Sequence, residues 1–242
     1  MQKKIKPLLC SLLLLVALPC VCGAQNQMAR IRQLVKDLNV PFEMRKKRDE
    51  AVTALAKIGK PAAPSLITAC KDKDFFVREA AAKALTQMGE VAVPSLITLL
   101  QDDGKGVIQI TADGSGVSVS HTDGKPDCVF TAAGALGKMG KPAIPALTVA
   151  FKKKTLWRAN VALALWFMGA DAGGATPLLI EALADNKSTI RALAASTLCK
   201  IGHSAKAAIP SLTKALKDSD ASVRTQAQLA LKAIKAQETP KK

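Results

Sequence analysis

The residues that could do chemistry are few and scattered. Two His and six Cys serve a chain of 242 residues, which excludes an active site built on several histidines. Beyond the first 24 residues only Cys70, Cys128 and Cys199 remain. Their wide, uneven spacing matches neither a metal-ligand cluster nor a disulfide framework. One pair at most could bridge in an oxidising compartment, and small apolar residues on helices are the simpler reading. Asp103-Gly104, Asp113-Gly114 and Asp123-Gly124 recur every ten residues, a spacing at which acidic turns could offer oxygen ligands to calcium. None leads to the bidentate Glu of an EF-hand loop, and Asp-Gly is ordinary turn chemistry. His121 stands without a partner His or Cys nearby in sequence. No Gly-rich phosphate loop, Cys-His pairing or isolated carboxylate pair occurs. The expectation is therefore no catalytic residue, no cofactor and no metal. What remains is a contact surface: the run Lys152, Lys153 and Lys154, with Trp166 nearby, and His121 as a further candidate.

The elements that must position these residues begin with a leading segment. Lys3, Lys4 and Lys6 precede an apolar run from Leu8 to Leu18, then Pro19 and the small residues Gly23 and Ala24. That is the pattern of a signal peptide, residues 1–24, too short to span a bilayer comfortably. The chain is thus expected to be exported to the periplasm or beyond; a lipoprotein through Cys20 or Cys22, or a retained anchor, is the lesser alternative. Formal charge is +16, from 35 Lys and Arg against 19 Asp and Glu. Removing the leader takes only three lysines, so the basic character belongs to the remainder.

Self-similarity organises the rest, residues 25–237, ahead of a basic tail at 238–242. Gly59, Gly89, Gly140, Gly169 and Gly202 each close an apolar segment and are each followed by Pro64, Pro94, Pro145, Pro177 and Pro210. Four residues before each Gly stands Leu55, Leu85, Leu136, Leu165 or Leu198; eight before stands Ala51, Ala81, Ala132, Val161 or Ala194. With the Ala and Ile or Met positions between them, this is one stripe of an amphipathic helix. The Gly suits a left-handed cap, and Pro suits the first turn of a second, shorter helix. Six helix pairs follow. Asp72, Asp185 and Asp218 recur in the turns, and Arg78, Arg191 and Arg224 recur six residues after each. They predict a structural ladder in which Asp caps the next helix and Arg reaches carboxylates of its own or the adjacent unit.

The pattern Pro64-Ser-Leu66, Asp72, Val77-Arg78, Ala81, Ala84-Leu85 and Met88-Gly89 resembles HEAT repeats, more narrowly the short repeats first associated with phycobilisome lyases. The resemblance spans residues 26 to 236 and implies an all-α solenoid whose surface binds proteins. Because some such relatives are bilin lyases and one HEAT-like group are DNA glycosylases, it leaves a lyase-type enzyme as the third reading.

Two departures stand out. Between Asp102 and Val129 the third copy carries about 21 extra residues, with alternating apolar residues between the Asp-Gly turns. They predict a β-hairpin, within 103–126, projecting from the solenoid edge. The fourth copy holds both tryptophans: Trp157 in a core-like register, and Trp166 nine residues on, nearly opposite and so expected to be partly exposed. Together these features predict a non-enzymatic protein-binding scaffold of the cell envelope, with an unknown protein partner. Its alternative is an anionic envelope polymer or lipid surface held by basic patches. Export argues against chromosomal nucleic acid.

Overall fold

The computed structural model describes residues 24–101, 106–111, 116–121, 128–153 and 157–236. The expected leader up to residue 23, Lys154, the three Asp-Gly pairs and the 238–242 tail lie outside the described residues. The described residues form helices α1 (24–36), α2 (Arg45–Ile58), α3 (Ala63–Ala69), α4 (Phe75–Gln87) and α5 (Val93–Leu100). Strands β1 (Gly106–Ile110) and β2 (Val117–His121) follow. Then come α6 (Cys128–Met139), α7 (Ile144–Lys152), α8 (Arg158–Met168), α9 (Thr176–Ala182), α10 (Ser188–Ile201), α11 (Ile209–Ala215) and α12 (Ala221–Ala236). The architecture is the expected all-α solenoid: the longer helices α2, α4, α6, α8, α10 and α12 pack in succession as one layer. Shorter helices form the other layer, each against the long helix that follows it, as α3 does on α4 and α11 on α12.

The repeated offsets explain this. Leu55, Leu85, Leu136, Leu165 and Leu198 are all buried, as are Leu66, Leu96, Leu147, Leu179 and Leu212 on the short helices. Each truncation to Ala would cost about 2–5 kcal/mol. Pro sits in the first turn of α3, α5, α7, α9 and α11, where its missing N–H has no helical partner to lose. The five repeat glycines have positive φ. At Gly59 and Gly140, however, φ of 72° and 65° pairs with ψ of −141° and −139°. This mirror-β region replaces the left-handed cap that the sequence predicts, and it excludes a side chain more strictly. A short 3-10 turn then links each long helix to the next short one. The stretch Arg158–Ala182 is apolar over a length that could cross a bilayer, but the break at Gly169 divides it into α8 and α9, each packed on neighbours.

β1 and β2 pair antiparallel, Gly106 opposite His121 and Ile110 opposite Val117. The hairpin lies within 103–126, where the sequence places it, but it does not project. β1 lies against α10, and Ile108 and Ile110, on one face by strand alternation, pack on the solenoid core. Gln226 Nε2 of α12 donates to the Thr111 carbonyl at 3.3 Å. An insertion in the third repeat therefore rests on the last two, because two isoleucines on one face of a two-stranded sheet need a surface to bury against.

Candidate functional site

The arginine ladder is present, with a different division of labour. In α4, α10 and α12 the arginine donates through Nη1 to two carbonyls of its own preceding turn. Arg78 reaches Asp72 and Lys73, both at 2.9 Å. Arg191 reaches Asp185 and Asn186 at 2.8 and 3.2 Å, and Arg224 reaches Asp218 and Ser219 at 2.8 and 2.9 Å. The carboxylates link successive units, one of the two alternatives that the spacing allows. Asp218 accepts from Nε and Nη2 of Arg191, both at 2.7 Å, a bidentate pair one repeat apart. That hydrogen bonding holds the Asp218 carboxyl below its ordinary range and raises Arg191. Arg158 and Asp185 repeat the link as an ion pair of 2.6 Å, angled outside hydrogen bonding. Nor does the ladder aspartate cap a helix. Asp72, Asp185 and Asp218 each accept the N–H two residues on, closing the turn. The cap of α4 is Asp74, which accepts from Phe76 and Val77.

Trp166 overturns its expectation. It is only 5% exposed, its Nε1 donates to Ser196 Oγ at 2.9 Å, and Lys200 Nζ stands 3.2 Å over its ring. Burial lowers the Lys200 pKa. The face opposite Trp157 is not solvent, because an internal long helix is flanked by a neighbour on each side: α8 packs on both α6 and α10. Trp157 is half-buried against the core. Lys152 and Lys153 are exposed at the end of α7, Lys154 lies outside the described residues, and of His121 only the strand position is described. Exposed Lys152 and Lys153 therefore form no shared surface with Trp166, whose ring is buried. Among the described residues no three His, Cys, Asp or Glu converge as a metal-binding group, and Cys70, Cys128 and Cys199 form no disulfide.

A surface beyond the residues that the sequence singles out lies on α2 and α4. Phe75 and Phe76, 59% and 48% exposed, meet edge to face with centroids 5.7 Å apart. Arg78 stands 5.7 Å from the Phe75 centroid and Arg48 5.3 Å from that of Phe76. Arg48 is itself fixed, donating to the carbonyls of Leu38 (3.1 Å) and Val40. Beside the rings is a cleft lined by Arg45, Arg48, Val52, Phe76, Glu79 and Lys83. The signal was available in the register: where this repeat has Phe75-Phe76, the later ones have Ser188-Thr189 and Ala221-Ser222. Of those, Ser188, Thr189 and Ser222 line the recess beneath the hairpin.

A second, larger cavity of about 830 Å³ opens between α1 and α2, lined by Arg30, Arg45, Lys46 and Lys57 with Asp49 and Glu50. Asp49 is engaged by Lys83 at 2.8 Å and Arg45 at 3.8 Å, chiefly the former holding its carboxyl below the ordinary value. Rigid helices thus present two neighbouring clefts with apolar floors and charged rims.

Similar chains can now be set beside this geometry. A search of curated protein sequences returns no match. Among solved structures, a designed armadillo repeat protein in complex with the peptide (KR)4 shares 16% identity over 84% of this chain and 98% of its own, with a TM-score of 0.40. Human deoxyhypusine hydroxylase shares 19% over 90% and 99%, TM-score 0.38. Phycocyanin lyase from Nostoc sp. shares 20% over 84% and 98%, TM-score 0.31. At these scores no functional statement follows from the likeness. The sequence profile of HEAT repeats matches residues 43–113 and 176–241, more than half of the chain. The stretch between those two matches contains β2, α6, α7 and α8, and so most of the third and fourth copies whose irregularities the sequence reveals. With the repeat register, the two helical layers and this match in agreement, the chain belongs to the HEAT repeat family.

Proposed function

We propose that this HEAT repeat protein is a non-enzymatic protein-binding adaptor of the cell envelope, and that its docking surface is the α2–α4 edge. The observation that carries the reading is the exposed pair Phe75 and Phe76 with a guanidinium beside each ring. Adjacent exposed aromatics framed by arginine are the composition of an interface centre. Arg48 and Arg78 are each anchored on two backbone carbonyls, so little ordering cost falls on binding. The envelope location rests on the leader-like residues 1–24 alone.

Crosslinking and pull-down from the exported fraction tests this, with the wild-type chain and the Phe75→Ala/Phe76→Ala variant as baits. A partner recovered by the first and lost by the second, at unchanged helical circular dichroism, is the expected outcome. Equal recovery by both would refute the surface, and absence of the chain from the exported fraction would refute the location. The second reading, an anionic polymer or lipid surface, is favoured by exposed Lys152 and Lys153 and the +16 charge. It predicts retention on heparin that falls steeply with salt.

A further inference from the structure

Among the described residues, one flank of helix α2 packs on α4, while the other carries a short apolar strip, Ala54 and Ile58, with no long helix against it. In the cleft between α2 and α4, the residues of α4 turned toward α2 include Phe76, Glu79, Ala80 and Lys83. Thirty residues earlier, in the same repeat register, stand Lys46, Asp49, Glu50 and Thr53, and all four line the 830 Å³ cavity. That cavity is therefore the stacking face of α2, the side on which every later long helix receives its predecessor. Its floor records the difference. Ala54 is half-buried, whereas Ala84, Ala135, Ala164 and Thr197 at the same register are buried. Ile58 lies beside it and is likewise half-buried.

Charge decides what can fill the cleft. Its rim has four cations against two acids, and one of the acids, Asp49, is already paired with Lys83. The chain's own ends do not complement it. Residues 1–23 contain three lysines and no acid. Helix α12, the opposite end of the stack, carries exposed Arg224, Lys232 and Lys235 and no acid, which opposes head-to-tail stacking of two copies. α2 is about 21 Å long, with Arg45 and Lys46 near one end and Lys57 near the other.

We propose that this cleft takes an acidic amphipathic helix of a partner protein, docked along α2 as a surrogate preceding repeat. Its small apolar stripe faces Ala54 and Ile58, and its Asp or Glu flanks meet Arg30, Lys46 and Lys57. The proposal rests on the adaptor reading and adds the partner's chemistry. It uses a mode of recognition that depends on apolar anchors at helical spacing.

The test is fluorescence anisotropy on the full chain with a labelled helical peptide of about 16 residues, an Ala/Leu stripe flanked by Glu, and its Lys-flanked counterpart. Lys46→Glu/Lys57→Glu should weaken the acidic peptide by about tenfold or more, while Lys152→Glu/Lys153→Glu, an identical charge change elsewhere, should alter it less than about twofold. Ala54→Trp fills the floor without changing charge and should also abolish binding. Circular dichroism verifies that each variant is folded. Equal loss in both charge variants, retained binding in folded Ala54→Trp, or preference for the Lys-flanked peptide would each overturn the proposal. So would phosphatidylglycerol vesicles that bind at this cleft when the peptide does not. A partner still lost on Phe75→Ala/Phe76→Ala would leave the adaptor reading intact after such a failure.

Discussion

Gly137 and Gly134 lie one turn apart on α6, and the structure predicts opposite outcomes for the same substitution. Replacing a helical Gly by Ala ordinarily stabilises by about 1 kcal/mol, through lower unfolded-state entropy and better helix propensity. At Gly134 a Cβ would meet nothing within 4 Å, so Gly134→Ala should realise that gain. At Gly137 the added carbon would stand 2.4 Å from Phe167 Cβ and 2.9 Å from its backbone carbonyl carbon. Phe167 cannot yield easily. Its ring lies edge to face between Phe130 and Trp166, at centroid distances of 4.9 and 5.2 Å. Its backbone belongs to α8, which packs directly on α6. Relieving the overlap means parting two helices at the middle of the stack, an overpacking cost of about 1–3 kcal/mol or more. Set against the propensity gain, this leaves Gly137→Ala net destabilising by up to about 2 kcal/mol. For a chain of this size each kcal/mol moves Tm by about 2–4 °C. Thermal unfolding followed by circular dichroism should therefore separate the two variants by several degrees, Gly134→Ala above wild type and Gly137→Ala below it. Because repeat arrays can unfold in parts, amide exchange on α6 and α8 is the matching local measurement. Equal stabilisation by both would mean that α6 and α8 do not approach as closely as the structure has them.

Other consequences are as direct. The Asp218 carboxyl is held low by Arg191, so its contribution is fully present above the unfolded carboxylate value of about 3.9 and is lost as pH falls toward the lowered folded value. Asp218→Asn should lower Tm at pH 6, and the gap to wild type should close below pH of about 4; a gap constant with pH would refute the ion-pair account. Burial, with a smaller effect of nearby Cys128, pushes the Cys70 thiol up to about 12. With an aromatic disulfide reagent at pH 8, half-buried Cys199 should react ahead of Cys70, which should wait for unfolding. Deleting residues 104–124 should leave helical circular dichroism nearly intact but increase amide exchange at the starts of α10 and α12, where the hairpin rests. Unchanged exchange there would mean that the strap does not hold in solution.

Much of this molecule was legible in one dimension because its contacts repeat. Leu85 or Leu165 meets the same kind of neighbour in every copy, so a fixed offset from a glycine is enough to name the stripe, the short helix after Pro64 or Pro145, and the turn between. The hairpin was legible for the same local reason: Asp-Gly turns and alternating apolar residues act within a few positions. Its destination was not, since the surface that buries Ile108 and Ile110 lies about eighty residues further on, on α10, and nothing in the strand itself encodes that distance. Trp166 failed in the opposite way. Helical periodicity put it across from Trp157, but whether that side meets water depends on how many helices flank α8. The ladder shows the same limit at finer scale. The spacing allowed Arg a carboxylate of its own or the adjacent unit, and only the structure shows that Asp218 pairs with Arg191, one unit earlier in the chain.

The sequence alone determined the unit: the two helices of each repeat, the apolar stripe that each turns to the core, the glycine with positive φ between them, and that the surface is basic. Those properties follow from backbone sterics and period-3.6 patterning, which act within a few residues. Only the tertiary structure decided which side of each unit remains open. Stacking covers both flanks of α8 and Trp166 with them, the returning hairpin covers the starts of α10 and α12, and among the described residues α2 has no long helix on its other flank. Exposure is a property of the assembled stack, so the clefts beside Phe76 and Ala54 could be found only once every other helix had taken its neighbour.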